Sequence, residues 1–350
     1  MAKGKQPKKA QSGPGALPVR GLHVGVSGRG EVALWERFIR DALPKEGVNL
    51  LVVELNYGYA YKSYPQVAEE HSLAQEDVER IVRACGEAGV EVIPQINCLG
   101  HQSWAGHSNG LLKAFPEFDE RPDIPQDADS KAIYCRSYCP LHPKVHEVLF
   151  ALMDELAEAF EARQFHVGMD EVFLIAEEKC PRCRGKDAGQ LFADEVTALH
   201  DHLAAKGRTM WMWGDRFINS EQFPTGLWEG SANNTWQAVD RVPKDIVICD
   251  WHYERPFETP GFFVAKGFRV VASPWRKEDV ALEELKVIRR VREQNECALG
   301  MLHTTWCGFD SFVRAYYGEL DPQQRRGQHA LEAASCFKAL CAAMRGEQQA

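Results

Sequence analysis

Gln164-Phe165-His166-Val167-Gly168-Met169-Asp170-Glu171-Val172 is an apolar run that carries a histidine and ends in two adjacent carboxylates. Side chains alternate between faces along an extended strand. Val167 and Met169 therefore share the apolar face, and His166, Gly168 and Asp170 share the other. Glu171 points away from Asp170 unless the strand stops there and the chain turns. Two acids at the mouth of a strand suit acid-catalysed cleavage of a glycosidic bond, because one can stay charged while the other holds a proton. An Asp-Glu pair can equally cap a helix or sit in solvent, so the rest of the chain has to decide between these readings.

Working outward, apolar, β-branched or aromatic runs of strand length recur at 21–26, 50–55, 90–96, 165–169, 209–213, 246–249, 268–272 and 299–304. Helical grammar lies between them. Ser72-Leu73-Ala74-Gln75 reads as a capping box ahead of Val78, Ile81, Val82 and Cys85, with Gly89 as the stop. Pro143 can open a helix whose stripe is Val145, Val148, Leu149, Leu152, Met153, Leu156 and Phe160. Further helices are expected at 188–206, 282–296 and 328–344, and 220–242 is less regular. Eight strand–helix units without a linker predict an α/β chain folded as a single (β/α)8 TIM barrel over 20–350. A doubly wound sheet is the rival, but Ser27-Gly28-Arg29-Gly30 after the first strand is too short to make a phosphate loop.

Composition narrows the partners. The chain has 350 residues, 45% of them hydrophobic, which supports a large core. A net charge of -9 argues against nucleic acid or anionic membrane as the main partner. No apolar run approaches the roughly 18 residues that span a bilayer. Residues 1–19 read as a disordered basic tail without the apolar region of a secretory signal. Eleven cysteines, scattered and odd in number, do not resemble a secreted disulfide framework. A cytoplasmic, reducing compartment is the expectation, unless a signal peptide has been removed.

In such barrels the site lies at the C-terminal ends of the strands. Those ends give Glu54, Asn56 and Tyr57; Asn97 and His101; Asp170 and Glu171; Trp213 and Asp215; Asp250, Trp251 and Tyr253; Trp275; and Trp306. Acids, amides and aromatics gather at one rim. A carbohydrate pocket fits this mixture: aromatic faces stack on a pyranose ring while acids and amides bind its hydroxyls. Any single tryptophan in the set could instead serve core packing.

His166-Val167-Gly168-Met169-Asp170-Glu171 resembles the His-x-Gly-x-Asp-Glu motif of family 20 glycoside hydrolases, the β-N-acetylhexosaminidases. Leu99-Gly100-His101 is similar to the third-strand Pro-Gly-His element, and Trp213-Gly214-Asp215 to the fifth-strand Trp with its nearby acid. The cluster at 250–253 is similar to the sixth-strand region that supplies a Tyr and an Asp. The resemblance runs from about 21 to 312 and is nearest the hexosaminidase D-like branch. It implies removal of a terminal β-linked N-acetylhexosamine, with retention, through an oxazolinium formed by the substrate's own acetamido oxygen. By the same resemblance Glu171 is the general acid and base, and Asp170 orients the acetamido group. Tyr253 would bond the acetamido oxygen, with Trp213, Trp251, Trp275 and Trp306 as aromatic walls. His101 and His166 position the acids or are satisfied core histidines. The expected site is thus Asp170 and Glu171 as the catalytic pair, with His101, Trp213, Asp215, Asp250, Trp251, Tyr253, Trp275 and Trp306 around the sugar. The resemblance calls for no cofactor and no catalytic metal.

The chain departs from the family in three places. Gly25 and Gly28 stand where an Asp and an Arg are usual, with Arg29 one place later. Glu54-Leu55-Asn56-Tyr57 replaces an Asp-rich element, and Cys307-Gly308 follows Trp306 where a Glu is usual. These losses fall on recognition of sugar hydroxyls, not on the acid pair. Cys135 and Cys139, with Cys180 and Cys183 on the next loop, could form a structural four-thiolate zinc site, or remain free thiols or a conditional disulfide. Two other functions stay open on the residues alone. One is a non-catalytic sugar-binding barrel, which intact Asp170 and Glu171 argue against. The other is a metal-dependent hydrolase using His23, His101, His166 and Asp170.

Overall fold

All eight expected strands form: β1 (Val19–Gly25), β2 (Leu50–Glu54), β3 (Glu91–Cys98), β4 (Gln164–Gly168), β5 (Thr209–Trp213), β6 (Val247–Asp250), β7 (Arg269–Ala272) and β8 (Ala298–Thr305). They come from a computed structural model that describes residues 17–26, 29–105, 107–126, 133–321 and 327–346. Each strand pairs in parallel with its sequence neighbours, and β8 closes on β1 through the register Val19↔Gly300 to Val24↔Thr305. The result is a closed (β/α)8 barrel, as the count of strand–helix units predicted. Residues 1–16 of the expected tail and Gly28 lie outside the described residues; Leu17 is already buried and β1 begins at Val19.

Alternation sorts the side chains. Val19, Leu50, Val52, Ile93, Trp211, Val247, Val271 and Leu302 point into the barrel and pack as one apolar layer. Leu22, Val24, Leu51, Val53, Phe165, Val167, Ile248 and Val270 take the opposite parity and pack under the helices. Each fully buried aliphatic side chain contributes about 1.5–3 kcal/mol relative to exposure. Nearer the strand ends the interior turns polar, with His23, Gln95 and His166 all buried. Gly300 sits where β8 shifts register against β7, with φ +146. A Cβ there would meet the Val19 carbonyl oxygen at 2.0 Å, so only glycine lets β8 close on β1.

The helical layer follows the predicted stripes. Val145–Ala159 buries Val145, Val148, Leu149, Leu152, Met153 and Leu156, starting two residues after Pro143. Ala188–Ala205 is capped by Asp187, whose carboxylate accepts the Gln190 N–H at 2.6 Å. Glu278–Gln294 and Gly327–Arg345 complete the outer wall near β7 and β8. The capping box fails at its first residue. Leu73 is tied by backbone bonds to Gly58 and Ala60, so Gln75–Ala88 starts only after Ala74. Asp77 then accepts the Ala74 N–H at 3.1 Å, while Ser72 donates to the Glu69 carbonyl. The β5–β6 connection carries 3-10 turns, Asp215–Phe217 and Thr235–Asp240, where the other units have α-helices. The long connections after β3, β4 and β5 therefore all rise on the side where the acids lie.

Candidate active site

β4 ends at Gly168, and the next residues abandon extended geometry. Gly168, Met169 and Glu171 have φ of +68, +73 and +48. This succession of left-handed residues cancels strand alternation and lets Asp170 and Glu171 face the same way. Left-handed backbone at a non-glycine residue costs about 1–2 kcal/mol. Burial of Met169 and a bond from the Gly168 N–H to His166 Nδ1, 3.1 Å, hold the turn in place. Burial, with the nearby His23 adding to it, lowers the His166 pKa well below the ordinary imidazole value and leaves Nδ1 free to accept. At Gly168 a Cβ would lie 2.3 Å from Asn97 Oδ1 and 2.8 Å from Asn97 Cα. Gly168→Ala is therefore expected to destabilise the protein by about 2 kcal/mol or more. Urea unfolding measures this, and an unchanged midpoint would contradict the geometry.

β3 meets this turn from the neighbouring strand. Leu99 and His101 are also left-handed, with φ of +62 and +54. His101 Nε2 lies 3.1 Å from Asp170 Oδ2 and 3.2 Å from Glu171 Oε2, so one imidazole bridges both carboxylates. Desolvation works against its charge, but the Asp170 charge and the contacts with both acids outweigh it and hold its pKa well above the ordinary value. The three donor atoms lie within 4.8 Å of one another. Asp170 Oδ1 has no hydrogen-bond partner. The phenol of Tyr134 also sits against Glu171; burial and this carboxylate push its pKa far up.

Asp215 anchors the pair from behind. Its Oδ2 accepts the Glu171 N–H at 3.0 Å and Arg216 Nε at 2.6 Å, and Trp251 Nε1 reaches its Oδ1 at 3.3 Å. Arg216 is buried and donates to the carbonyls of Leu227, Trp228 and Gly230, tying the β5 loop to the acids. Asp215 is thus a buried positioning residue, where the sequence placed it at the sugar. Burial lifts its pKa to about 6; Arg216 and the Glu171 amide pull it down, while the Asp170 charge pushes it up. Its unfolded value is near 3.9. Between about pH 4 and 6 the native state keeps a proton that the unfolded chain has released, so stability falls as pH rises through that window. Comparing wild type with Asp215→Asn by denaturant unfolding at pH 4 and pH 7 isolates this contribution. The variant is expected to lose it, and equal pH dependence in both proteins would contradict it.

Aromatic rings close around the acids. Trp213 fills the barrel beneath the mouth, 4.7 Å from the His166 ring, 5.1 Å from His23 and 5.9 Å from Trp306. Trp251 lies 4.9 Å from Tyr253, which lies 5.5 Å from Trp275. Trp306, 38% exposed, donates from Nε1 to the Tyr253 hydroxyl at 2.7 Å. The Tyr253 phenol feels the charges of both Asp170 and Glu171. A second aromatic group borders the open side: Tyr134 lies 4.7 Å from Trp228, 5.3 Å from Trp104 and 5.9 Å from Phe173. Sequence reasoning missed this rim, as it missed Arg216 and Glu229, because the loops that carry them have no periodic signal.

Asp250 is a correction. It has the parity of Ile248, which faces the helices, and it is buried against Thr259 at 2.7 Å and His252 at 3.3 Å. His252 also contacts Glu229 at 2.9 Å, and Glu229 accepts the Tyr253 N–H at 3.2 Å. Asp250 therefore supports the loop that carries Tyr253 and is absent from the pocket. Gly25 has open space where a Cβ would stand, and Arg29 pairs outward with Asp77 at 3.0 Å. Glu54 accepts from Asn56 at 2.9 Å and Asn97 at 3.0 Å, and pairs with His23 at 3.2 Å. His23 is engaged there, so among the described residues His101 and the two acids come together without His23 or His166.

With this geometry in place, the comparisons with known proteins are specific. The profile described as "Glycosyl hydrolase family 20, catalytic domain" matches residues 54–280. A beta-hexosaminidase of Vibrio furnissii is 26% identical over 216 residues, 60% of this chain and 31% of the relative. A beta-hexosaminidase of Akkermansia muciniphila is 26% identical over 198 residues, 53% of this chain and 39% of the relative. The chain thus spans a third or so of the length of these curated relatives. Among solved structures, a Flavobacterium johnsoniae chitobiase superposes with TM-score 0.65 at 18% identity, over 94% of this chain and 51% of that one. Dispersin B superposes with TM-score 0.53 at 16% identity, over 92% of this chain and 97% of that one. The structural likenesses speak for the barrel alone; the profile covers the motif, the His101 loop and the β5 and β6 ends. The chain belongs to glycosyl hydrolase family 20.

Proposed function

We propose that the chain removes a terminal β-linked N-acetylhexosamine, with retention, using the substrate's acetamido oxygen as nucleophile. The observation that carries this reading is the pair of carboxylates on one imidazole, with Asp170 Oδ1 left without a partner. A two-carboxylate inverting enzyme keeps its acids roughly 6.5–9.5 Å apart to admit water. Contact atoms of Asp170 and Glu171 within 4.8 Å leave no such gap. Asp170 would take the amide N–H on Oδ1 and stabilise the positive charge that develops on nitrogen. Tyr253 would hold the acetamido oxygen against the anomeric carbon. Glu171 would protonate the leaving oxygen as the anomeric bond breaks and the oxazoline ring closes. It would then take a proton from the water that reopens that ring. Arg216, through Asp215, fixes the Glu171 backbone throughout.

Trp213, Trp251, Trp275 and Trp306 would wall the sugar, and the rim of Trp104, Tyr134, Phe173 and Trp228 would carry the leaving group. A neutral glycan suits the chain's charge better than nucleic acid does, and among the described residues no helix is long and apolar enough to cross a membrane. Eleven unpaired cysteines suit a reducing, cytoplasmic setting.

Stepwise fluorination of the substrate acetamido group tests the nucleophile. Each fluorine draws electrons from the carbonyl oxygen. Turnover of an aryl glycoside is expected to fall at least about tenfold from the acetamido to the trifluoroacetamido sugar, as for any weakened nucleophile. A flat response would leave the acetamido oxygen no role in bond breaking.

A further inference from the structure

Four buried side chains outside the acid site converge behind it. Cys139 and Glu120 come from the connection after β3, and Cys180 and Cys183 from the connection after β4. Their donor atoms all lie within 4.8 Å of one another, and all four residues are buried. Cys139 Sγ and Cys183 Sγ are 3.3 Å apart, and both cysteines are free thiols. Glu120 Oε1 accepts the Glu177 N–H at 3.0 Å, but its Oε2 is buried with no hydrogen-bond partner. An unsatisfied buried acceptor costs about 1–3 kcal/mol. The cluster has no such cost if that oxygen is a ligand.

We propose that Cys139, Cys180, Cys183 and Glu120 bind one structural zinc ion. Zinc takes thiolate sulfur at about 2.3 Å and carboxylate oxygen at about 2.0–2.2 Å in a tetrahedron, which sets neighbouring donors roughly 3.5–3.8 Å apart. The cluster needs only small side-chain movements to reach that spacing. Cys180-Pro181-Arg182-Cys183 forms a tight turn whose Cys183 N–H donates to Cys180 Sγ at 3.4 Å, a bond that steadies a coordinating sulfur. Glu120 and Cys139 are held in mutual register, since Glu120 N–H donates to the Ser137 carbonyl at 3.0 Å and Cys139 N–H to the Phe118 carbonyl at 2.6 Å. The sequence suggested a four-thiolate site with Cys135, and that set is corrected here. Cys135 instead donates to the Glu171 carbonyl at 3.5 Å, on the acid side of the loop, and Glu120 takes the fourth place.

Four protein ligands fill the tetrahedron, so the ion would have no open position and no part in the chemistry. Its role would be to staple two active-site loops together. The β3 connection carries His101 and Tyr134, and Cys180 lies nine residues after Glu171, as its numbering gives. On binding, each thiol gives up its proton to solvent and no electrons move.

Full-length protein purified without chelator or metal resin tests the site by elemental analysis. About one zinc per chain is expected, falling below about 0.1 in the Cys180→Ser/Cys183→Ser double variant and staying near one in Cys135→Ser. Zinc retained by the double variant, or zinc lost from Cys135→Ser, would overturn the assignment. If the double variant does not fold, wild type exchanged into cobalt(II) decides the question. Thiolate-to-cobalt charge-transfer absorption supports the site. Wild type that neither contains zinc nor shows this absorption after reduction, or that carries a Cys139–Cys183 disulfide, overturns it.

Discussion

Glu171→Gln is expected to reduce kcat on glycosides with poor leaving groups by about 10²–10⁴-fold, the usual span for a positioned general acid. The loss in kcat/KM, which reports the bond-breaking step, should shrink on strongly activated aryl glycosides, which need little proton donation at the leaving oxygen. The substitution keeps the size of the side chain and the backbone bond to Asp215, so the fold should hold. It removes the carboxylate that takes a proton from water in the second step, and an aryl glycoside should then show a burst of phenol followed by slow turnover. Stopped-flow measurement of phenol release reads both effects. A uniform loss of kcat/KM across leaving groups would mean that Glu171 is not the acid.

Asp170→Asn is the second large effect, expected at about 10²–10³-fold in kcat, the usual loss when one charge or donor aimed at the transition state is removed. An amide cannot stabilise the positive charge that develops on the acetamido nitrogen. Its effect should be nearly the same for good and poor leaving groups, because ring closure and not proton donation is impaired. Two side effects follow from the contacts. His101 loses the charge that most raises its pKa, and should titrate lower by NMR. Asp215, relieved of the same charge, should titrate below its value of about 6. Unchanged turnover in this variant would remove the reason for the unpartnered Asp170 Oδ1.

The fold was legible because its signals are periodic and local. Eight strand-length runs with amphipathic helices between them admit few closed arrangements, and each run became a barrel strand within a few residues of its expected ends. The acid pair was legible because a strand, a histidine, a glycine and two acids stand together in one segment. Its geometry was less so. The left-handed turn from Gly168 to Glu171 depends on Asn97 crowding Gly168 and on His166 accepting its amide, both contacts formed only in the assembled barrel. Asp250 was misplaced because strand parity at β6 turns it outward, where it contacts Thr259 and His252. Asp215 was placed at the sugar although its oxygens are taken by Arg216, Trp251 and the Glu171 amide. Tyr134, Trp228 and Glu120 sit on irregular loops, where nothing in the local pattern marks a side chain that will meet another loop.

The most direct test of the account compares aryl β-N-acetylglucosaminide, aryl β-N-acetylgalactosaminide and aryl β-glucoside as substrates for wild type and Glu171→Gln. Wild type should turn over one or both acetamido sugars and leave the glucoside untouched, and the variant should lose that activity on substrates with poor leaving groups. Hydrolysis of the plain glucoside at a comparable rate would contradict the acetamido nucleophile, and silence of the folded wild type on all three would contradict the proposed hexosaminidase activity.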